Sequence, residues 1–397
     1  MITLTVDKLE PNMIVAEPVV TKRGQTIIKA GEKLTPQMIA KLTFYKIEAA
    51  TVEDVEEEAP EEVAPTEVEP APTPEPKKEK APPKEKKTKV DLSHPKETVK
   101  QSFTQIPYTQ RLKASPTFQK FQSDYAINLA FLQKNFDDII AGVDCSTDEM
   151  LKNCESLFKS KTTIELLNML SNMRNLEDPI YSHSLNVGLI SRVIGKWLKL
   201  PLEEVNLLTL AGLLHDIGKT QIPKDILNKP DKYTDEEFAI MKTHTTLGRK
   251  ILNGKGFDPR ITYAALQHHE RCDGSGYPRG VEEDEIDDFA CIVAIADVYD
   301  AMTSARAHRD PLCSFQVISE FEEEGLQKFK TKYILTFLEH IANTYNNSRI
   351  MLNDAKTGRV VYINKSNLSR PVIQLDEGEI INLADSAYSN KFIKSIL

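Results

Sequence analysis

The sequence predicts a mainly helical protein with a small β-rich unit at each end. Three observations lead there. Over residues 101–345 apolar side chains recur three and four apart, the period of a helix that buries one face. Over 1–56 and again over 346–397 they alternate with polar residues, the period of a half-buried strand. Between the first unit and the helices, 57–100 is dense in Pro, Glu and Lys and cannot bury enough surface to offset chain entropy.

The first unit, 1–56, opens with Ile2, Leu4 and Val6 in alternation. Ile14, Val15, Val19 and Val20 predict a second strand before a turn at Lys22-Arg23-Gly24, and Ile27 and Ile28 a third. Thr35-Pro36 pairs an N-cap with a first-turn proline, so a short helix is expected over 36–44. Catalytic residue types are scarce, which fits a docking or oligomerisation module. The linker runs from an acidic half, Glu53 to Pro76, into a basic half, Lys77 to Lys89, and reads as a solvated, disordered tether.

A helical lead-in, 101–160, carries Phe118, Phe121, Tyr125 and Leu129 at helical spacing, then Phe131, Phe136 and Ile139. It has no evident chemistry and reads as packing support or a dimer surface. Pro179 suits the first turn of a helix running to about 198, with His183, Val187, Ile190 and Ile194 on one face. An almost wholly apolar stem then ends in Leu213-Leu214-His215-Asp216-Ile217-Gly218-Lys219, where Gly218 fits the C′ position. Thr234 with Glu237 is a capping box for a helix over 235–252, with His244 in its middle. Asp258-Pro259 starts a helix that carries His268 inward. A helix over 287–303 sets Asp297 and Asp300 among Ile292, Ile295, Val298 and Met302. In 346–397, strands at Ile350–Leu352 and Val360–Ile363 bracket a turn at Lys356-Thr357-Gly358. Val372–Leu375 forms a third, and a short helix closes the chain.

Bulk properties narrow the function. A net charge of −9, with no basic stripe to offset it, excludes general nucleic-acid binding, although a dianionic small ligand can meet a local positive site. The five cysteines form no CxxC pair and are odd in number, the pattern of reduced thiols rather than of a disulfide framework. The N-terminus has no basic-then-apolar signal, and no run reaches the roughly 18 apolar residues of a membrane span. A cytoplasmic protein is expected.

The chemistry centres on 268–278, His-His-Glu-Arg-Cys-Asp-Gly-Ser-Gly-Tyr-Pro. His268 and His269 offer imidazoles, Glu270 and Asp273 carboxylates, and Gly274 and Gly276 backbone freedom for close approach. Tyr277 and Pro278 add a flat, partly apolar surface. Taken singly, His183 suits a satisfied core histidine better than a ligand, and a His-Asp dipeptide is weak evidence. Taken together, His183, His215, His244, His268 and His269 with Asp216 and Asp297 fit two transition metals sharing one carboxylate. Two such ions are a hydrolase device that activates water and clamps phosphoryl oxygens. A carboxylate on a buried helix is costly unless it is paired or metal-bound, which applies to Asp216, Asp297 and Asp300. Lys219, Arg306 and Arg309 are cations suited to phosphate oxygens.

His215–Lys219, His268–Pro278 and Ala296-Asp297-Val298-Tyr299-Asp300-Ala301-Met302-Thr303 together resemble the HD-GYP family of metal-dependent phosphohydrolases, across 161–345. The start of the chain resembles the small domain that often precedes it. The resemblance implies an HD-type helical bundle that hydrolyses cyclic di-GMP to pGpG and onward to GMP through a bridging hydroxide. It implies two divalent ions, Fe or Mn, one held by His183, His215, Asp216 and Asp297, the other by Asp216, His244, His268 and His269. Lys219 would meet the scissile phosphate or leaving oxygen, Arg306 and Arg309 the second phosphate or a guanine, and Gly276, Tyr277 and Pro278 would flank the pocket. Where some members carry a third-metal Glu, one turn before His183, this chain has Pro179, so two metals are expected. Ala307-His308 replaces the family's usual Pro-Tyr. Two other outcomes stay open: another cyclic dinucleotide as substrate, or a module that senses cyclic di-GMP or docks diguanylate cyclases (GGDEF proteins) with little turnover.

Overall fold

A computed structural model describes residues 1–20, 26–35, 38–39, 42, 47–53, 112–159, 161–173, 179–304 and 311–397. The linker and most of the helix expected over 36–44 lie outside them.

In the first unit, β1 (Ile2–Thr5) pairs antiparallel with β4 (Ala49–Val52), Ile2 opposite Val52, and β2 (Val19–Val20) pairs with β3 (Thr26–Ile28). Leu9, Val15, Val19, Ile28, Leu34, Leu42, Ala50 and Val52 form its core. Strand β4 had no reading in the sequence. Its Ala49-Ala50-Thr51-Val52 run is short, and only the pairing with β1 selects extended backbone.

The helical part begins with α1 (Pro116–Ala141), capped by Ser115 accepting from the Phe118 amide at 3.1 Å and stopped by Gly142 at φ 79°. It buries Phe118, Phe121, Tyr125 and Phe136, and Phe136 meets Tyr181 edge-on at 5.3 Å. Next come α2 (Thr147–Phe158), α3 (Thr163–Ser171), α4 (Pro179–Trp197), α5 (Leu202–Leu214), α6 (Asp235–Lys242), α7 (His244–Leu252), α8 (Pro259–Gln267) and α9 (Asp288–Thr303). The chain is buried without a break from Leu208 to Gly218, and α9 is buried along nearly its whole length. These two apolar helices run through the core, and polar side chains at their ends must be satisfied there.

The helix expected over 235–252 is two. It breaks at Thr243, where His244 turns its Nδ1 back to the Met241 carbonyl at 2.7 Å.

After α10 (Ser314–Glu320) and α11 (Thr331–Thr344), the C-terminal unit is a five-stranded antiparallel sheet. It comprises β5 (Arg349–Leu352), β6 (Thr357–Tyr362), β7 (Val372–Leu375), β8 (Ile380–Asn382) and β9 (Ile393–Ile396), in the order β8-β7-β6-β5-β9. Glu322 ties it to the helices by accepting from the Leu368 amide at 2.6 Å and from Ser369. The expected closing helix is instead β9. Pairing Ile396 with Ile350 and Ile393 with Leu352 satisfies the open edge of β5, which outweighs the weak local preference.

Candidate metal centre

Helix ends bring the donors together. His183 lies one turn into α4. His215 and Asp216 lie where α5 gives way to a 3₁₀ turn, Ile217–Gln221. His244 begins α7, His268 and His269 follow α8, and Asp297 comes from the middle of α9. Gly218 does not serve as the helix C′ residue, and its φ is not positive. A Cβ there would lie 1.9 Å from the His244 carbonyl oxygen and 2.4 Å from the Gly248 amide. Its absence lets the 3₁₀ turn press against α7, which sets Asp216 beside His244.

All seven sequence-selected donors converge. His183, His215 and Asp297 offer atoms within 4.8 Å of one another, as do His244, His268 and His269. Asp216 lies between the groups. Its Oδ2 is 3.6 Å from His183 Nε2 and 3.2 Å from His215 Nε2, and its Oδ1 is 3.4 Å from His244 Nε2 and 3.7 Å from His268 Nε2. His269 Nδ1 stands 3.8 Å from Asp297 Oδ2.

The donor set fits a metal on three counts. His215, His244 and His268 each commit Nδ1 to a backbone carbonyl, of Gly212, Met241 and Ala264, at 2.7–2.9 Å. That partner assigns the tautomer and leaves Nε2 as a lone-pair donor. His244 and His268 then face each other nitrogen to nitrogen at 3.3 Å, which is favourable only with a cation or proton between them. His215 Nε2 and Asp216 Oδ1 are buried and make no hydrogen bond, a cost that a bound ion would remove.

Protonation suits donation at His244, His268, His269, Asp216 and Asp297, whereas His183 must give up a proton to donate. Burial drives His268 and His269 well below the usual histidine range and takes His244 down to about 4. Burial alone would raise Asp216 and Asp297, but His215 and Lys219 beside the first, and His183 beside the second, hold both well below the carboxylate range. Burial opposes a charge on His183 too, yet its bonds to Asp297 and Asp300 outweigh this and take it up to about 10.

Two residues named with the loop point elsewhere. Glu270 is buried and accepts from the amides of Arg279, Gly280 and Val281 at 2.8, 3.0 and 3.2 Å, so it folds the loop and offers nothing to the donor groups. Asp273 caps Ser275 at the surface. Removing Glu270 strands those amides. Glu270→Ala is expected to lose about 2 kcal/mol of unfolding free energy in a denaturant titration while the metal content stays the same. A drop in metal content would make Glu270 a ligand.

Gly276 is needed for space: a Cβ would sit 2.4 Å from the Arg271 amide and from the Glu270 Cα. Of the three loop residues expected beside the pocket, Tyr277 lines a cleft of about 690 Å³ and packs its ring, tilted by 33°, against His269 with centroids 4.7 Å apart. Lys219 also lines it, Nζ 2.6 Å from Asp216 Oδ2. Arg306, Ala307, His308 and Arg309 lie outside the described residues.

The sequence marks Asp300 as a carboxylate in need of a partner but does not say which. Its Oδ2 accepts from His183 Nδ1 at 2.7 Å, leaving His183 Nε2 for the cluster. The signal was present: Asp297 and Asp300 lie three apart, on one face of α9.

The comparisons with known proteins converge on this region. Residues 159–330 match the family model for the HD domain. A cyclic di-GMP phosphodiesterase of Thermotoga maritima is 41% identical over 179 residues, 44% of this chain and 48% of that protein. One from Pseudomonas aeruginosa is 40% identical over 141 residues, 35% of this chain and 34% of that one. A 3′3′-cGAMP-specific phosphodiesterase of Vibrio cholerae is 36% identical over 172 residues, 42% and 40% of the two chains. The chain thus spans about half or less of the length of these relatives. Over residues 159–330 the chain is thus similar to the HD domain and, at 36–41% identity, to proteins named cyclic dinucleotide phosphodiesterases.

Proposed function

We propose that this chain is a metal-dependent phosphodiesterase that opens cyclic di-GMP to pGpG and carries it on to GMP, using two divalent ions, iron or manganese. The observation that carries the reading is Asp216, one carboxylate buried between two donor groups with an oxygen toward each. Bound ions there would supply Lewis acidity and a hydrolytic nucleophile at neutral pH.

His183, His215 and Asp297 would hold one ion, His244, His268 and His269 the other, and Asp216 both. In the reaction the oxygen of water bonds to phosphorus, the P–O3′ bond breaks and O3′ takes a proton. To Lys219, which lines the cleft with its Nζ 2.6 Å from Asp216 Oδ2, we assign neutralising or protonating that leaving oxygen. Arg306 and Arg309 remain the proposed contacts to the second phosphate or a guanine. Among the described residues no helix is long and apolar enough to cross a membrane, and we place the reaction in the cytoplasm. Residues 161–345 carry it, with 1–56 and 346–397 as accessory units and 57–100 as a tether.

The cleft walls support a substrate with two bases. Tyr233, Met241 and Tyr277, with Leu170, Met173 and Ile180, give the cleft an aromatic and apolar lining beside its polar donors. A partly exposed tyrosine in the cleft lining suits base stacking. Tyr233→Ala is expected to raise KM for cyclic di-GMP about tenfold with kcat little changed. An unaltered KM would remove Tyr233 from the binding surface.

The decisive experiment loads the anaerobically purified chain with ferrous iron or manganese, counts bound metal and follows cyclic di-GMP by chromatography. A His215→Ala, Asp216→Ala chain is the control. Turnover lost in the control, with two ions in the wild type, is the expected result. Tight dinucleotide binding by a metal-loaded chain without product would replace the enzyme with a sensor. The likeness to a 3′3′-cGAMP-specific phosphodiesterase makes cyclic GMP-AMP the second substrate to assay.

A further inference from the structure

The site does not end at the HD domain. Tyr125 lies on α1, before the 159–330 stretch that matches the family. Its hydroxyl donates to Asn186 Oδ1 at 2.7 Å and approaches the Ser182 carbonyl at 3.1 Å. Asn186 Nδ2 donates to Asp300 Oδ1 at 2.9 Å. Asp300 Oδ2 accepts from His183 Nδ1 at 2.7 Å, and His183 Nε2 faces Asp297 at 2.9 Å.

Every member of this relay except His183 is buried. Each bond also fixes the orientation of the next group. With its Oδ1 held by the phenol, the Asn186 amide must present its NH₂ to Asp300. Asp300 thus keeps Oδ2 for the imidazole, whose tautomer and ring plane follow. A buried carboxylate or carbonyl behind a metal-binding imidazole sets its orientation and basicity, and low local dielectric strengthens such chains.

We infer that Tyr125 is a positioning residue for the metal centre: the lead-in helix, through Asn186 and Asp300, holds His183 in ligating geometry. This rests on the metal-centre reading above. It also gives α1, the first described helix after the 57–100 segment, a direct bearing on metal occupancy beyond packing.

The test is a double-mutant cycle in the full chain, read as metal affinity against a competing chelator and by electron paramagnetic resonance of the manganese form. Tyr125→Phe removes one hydroxyl and keeps the ring. It is expected to weaken one of the two ions about tenfold, so that a coupled two-manganese signal gives way to that of a single ion at limiting metal. Asn186→Ala should do the same, and the double variant should lose no more than either alone, because all three break one relay. Should Asn186→Ala fail to fold, Tyr125→Phe alone decides: selective loss of one ion supports the relay, and equal weakening of both overturns it. Unchanged affinities, or additive losses in the double variant, also overturn it. A wild-type chain that holds no transition metal removes the metal centre itself and this inference with it, whereas a loaded wild type with an unaffected Tyr125→Phe removes only the inference.

Discussion

Under the proposed function, Asp216→Asn is expected to lower turnover of cyclic di-GMP on the order of a thousandfold, the scale set by losing one preorganised electrostatic group, and to cost at least one bound ion. The substitution keeps the shape of the side chain and changes one oxygen to NH₂. In the wild type the two oxygens divide their neighbours, Oδ2 toward His183 and His215, Oδ1 toward His244 and His268. An amide offers one ligating oxygen, so it serves one group and turns a donor toward the other. Lys219, 2.6 Å from Oδ2, also loses its ion-pair partner in the cleft lining. Metal counted by mass spectrometry and product followed by chromatography, on one sample, give both numbers. A variant that keeps two ions and most of its turnover would show that Asp216 does not bridge them.

Among the described glycines, Gly218→Ala should be the most damaging alanine substitution, with a loss of about 3 kcal/mol of unfolding free energy, the upper range for overpacking. The added methyl meets backbone, the His244 carbonyl at 1.9 Å and the Gly248 amide at 2.4 Å, and neither can rotate away. The 3₁₀ turn or the start of α7 must shift. Either movement separates Asp216 from His244, so metal content should fall together with the denaturation midpoint. Near-normal stability with both ions retained would mean that the turn and α7 are looser neighbours than their separation indicates.

The helical fold was largely legible because its signals are local. Capping pairs at Thr234/Glu237 and Asp258-Pro259, the apolar stem before His215 and the apolar run around Asp297 each depend on residues a few positions apart. The errors came where distant contacts decide. β9 is a strand because β5 offers it an edge, and α6 and α7 are two helices because His244 is turned into the cluster. Gly218 looked like a helix stop, and the neighbour that requires it, His244, lies 26 positions further along the chain.

The same division runs through the site. Residue type by itself picked out the seven side chains that converge: imidazoles and carboxylates on apolar helices have no low-cost state except with a partner or an ion. Which oxygen of Asp216 faces which histidine, that Glu270 folds the loop, and that Tyr125 stands behind His183 were decided only in three dimensions. The physical reason is range. A side chain's chemistry travels with it, whereas orientation comes from hydrogen bonds to groups that, like the Tyr125 and Asn186 pair, are 61 residues apart and share no sequence pattern.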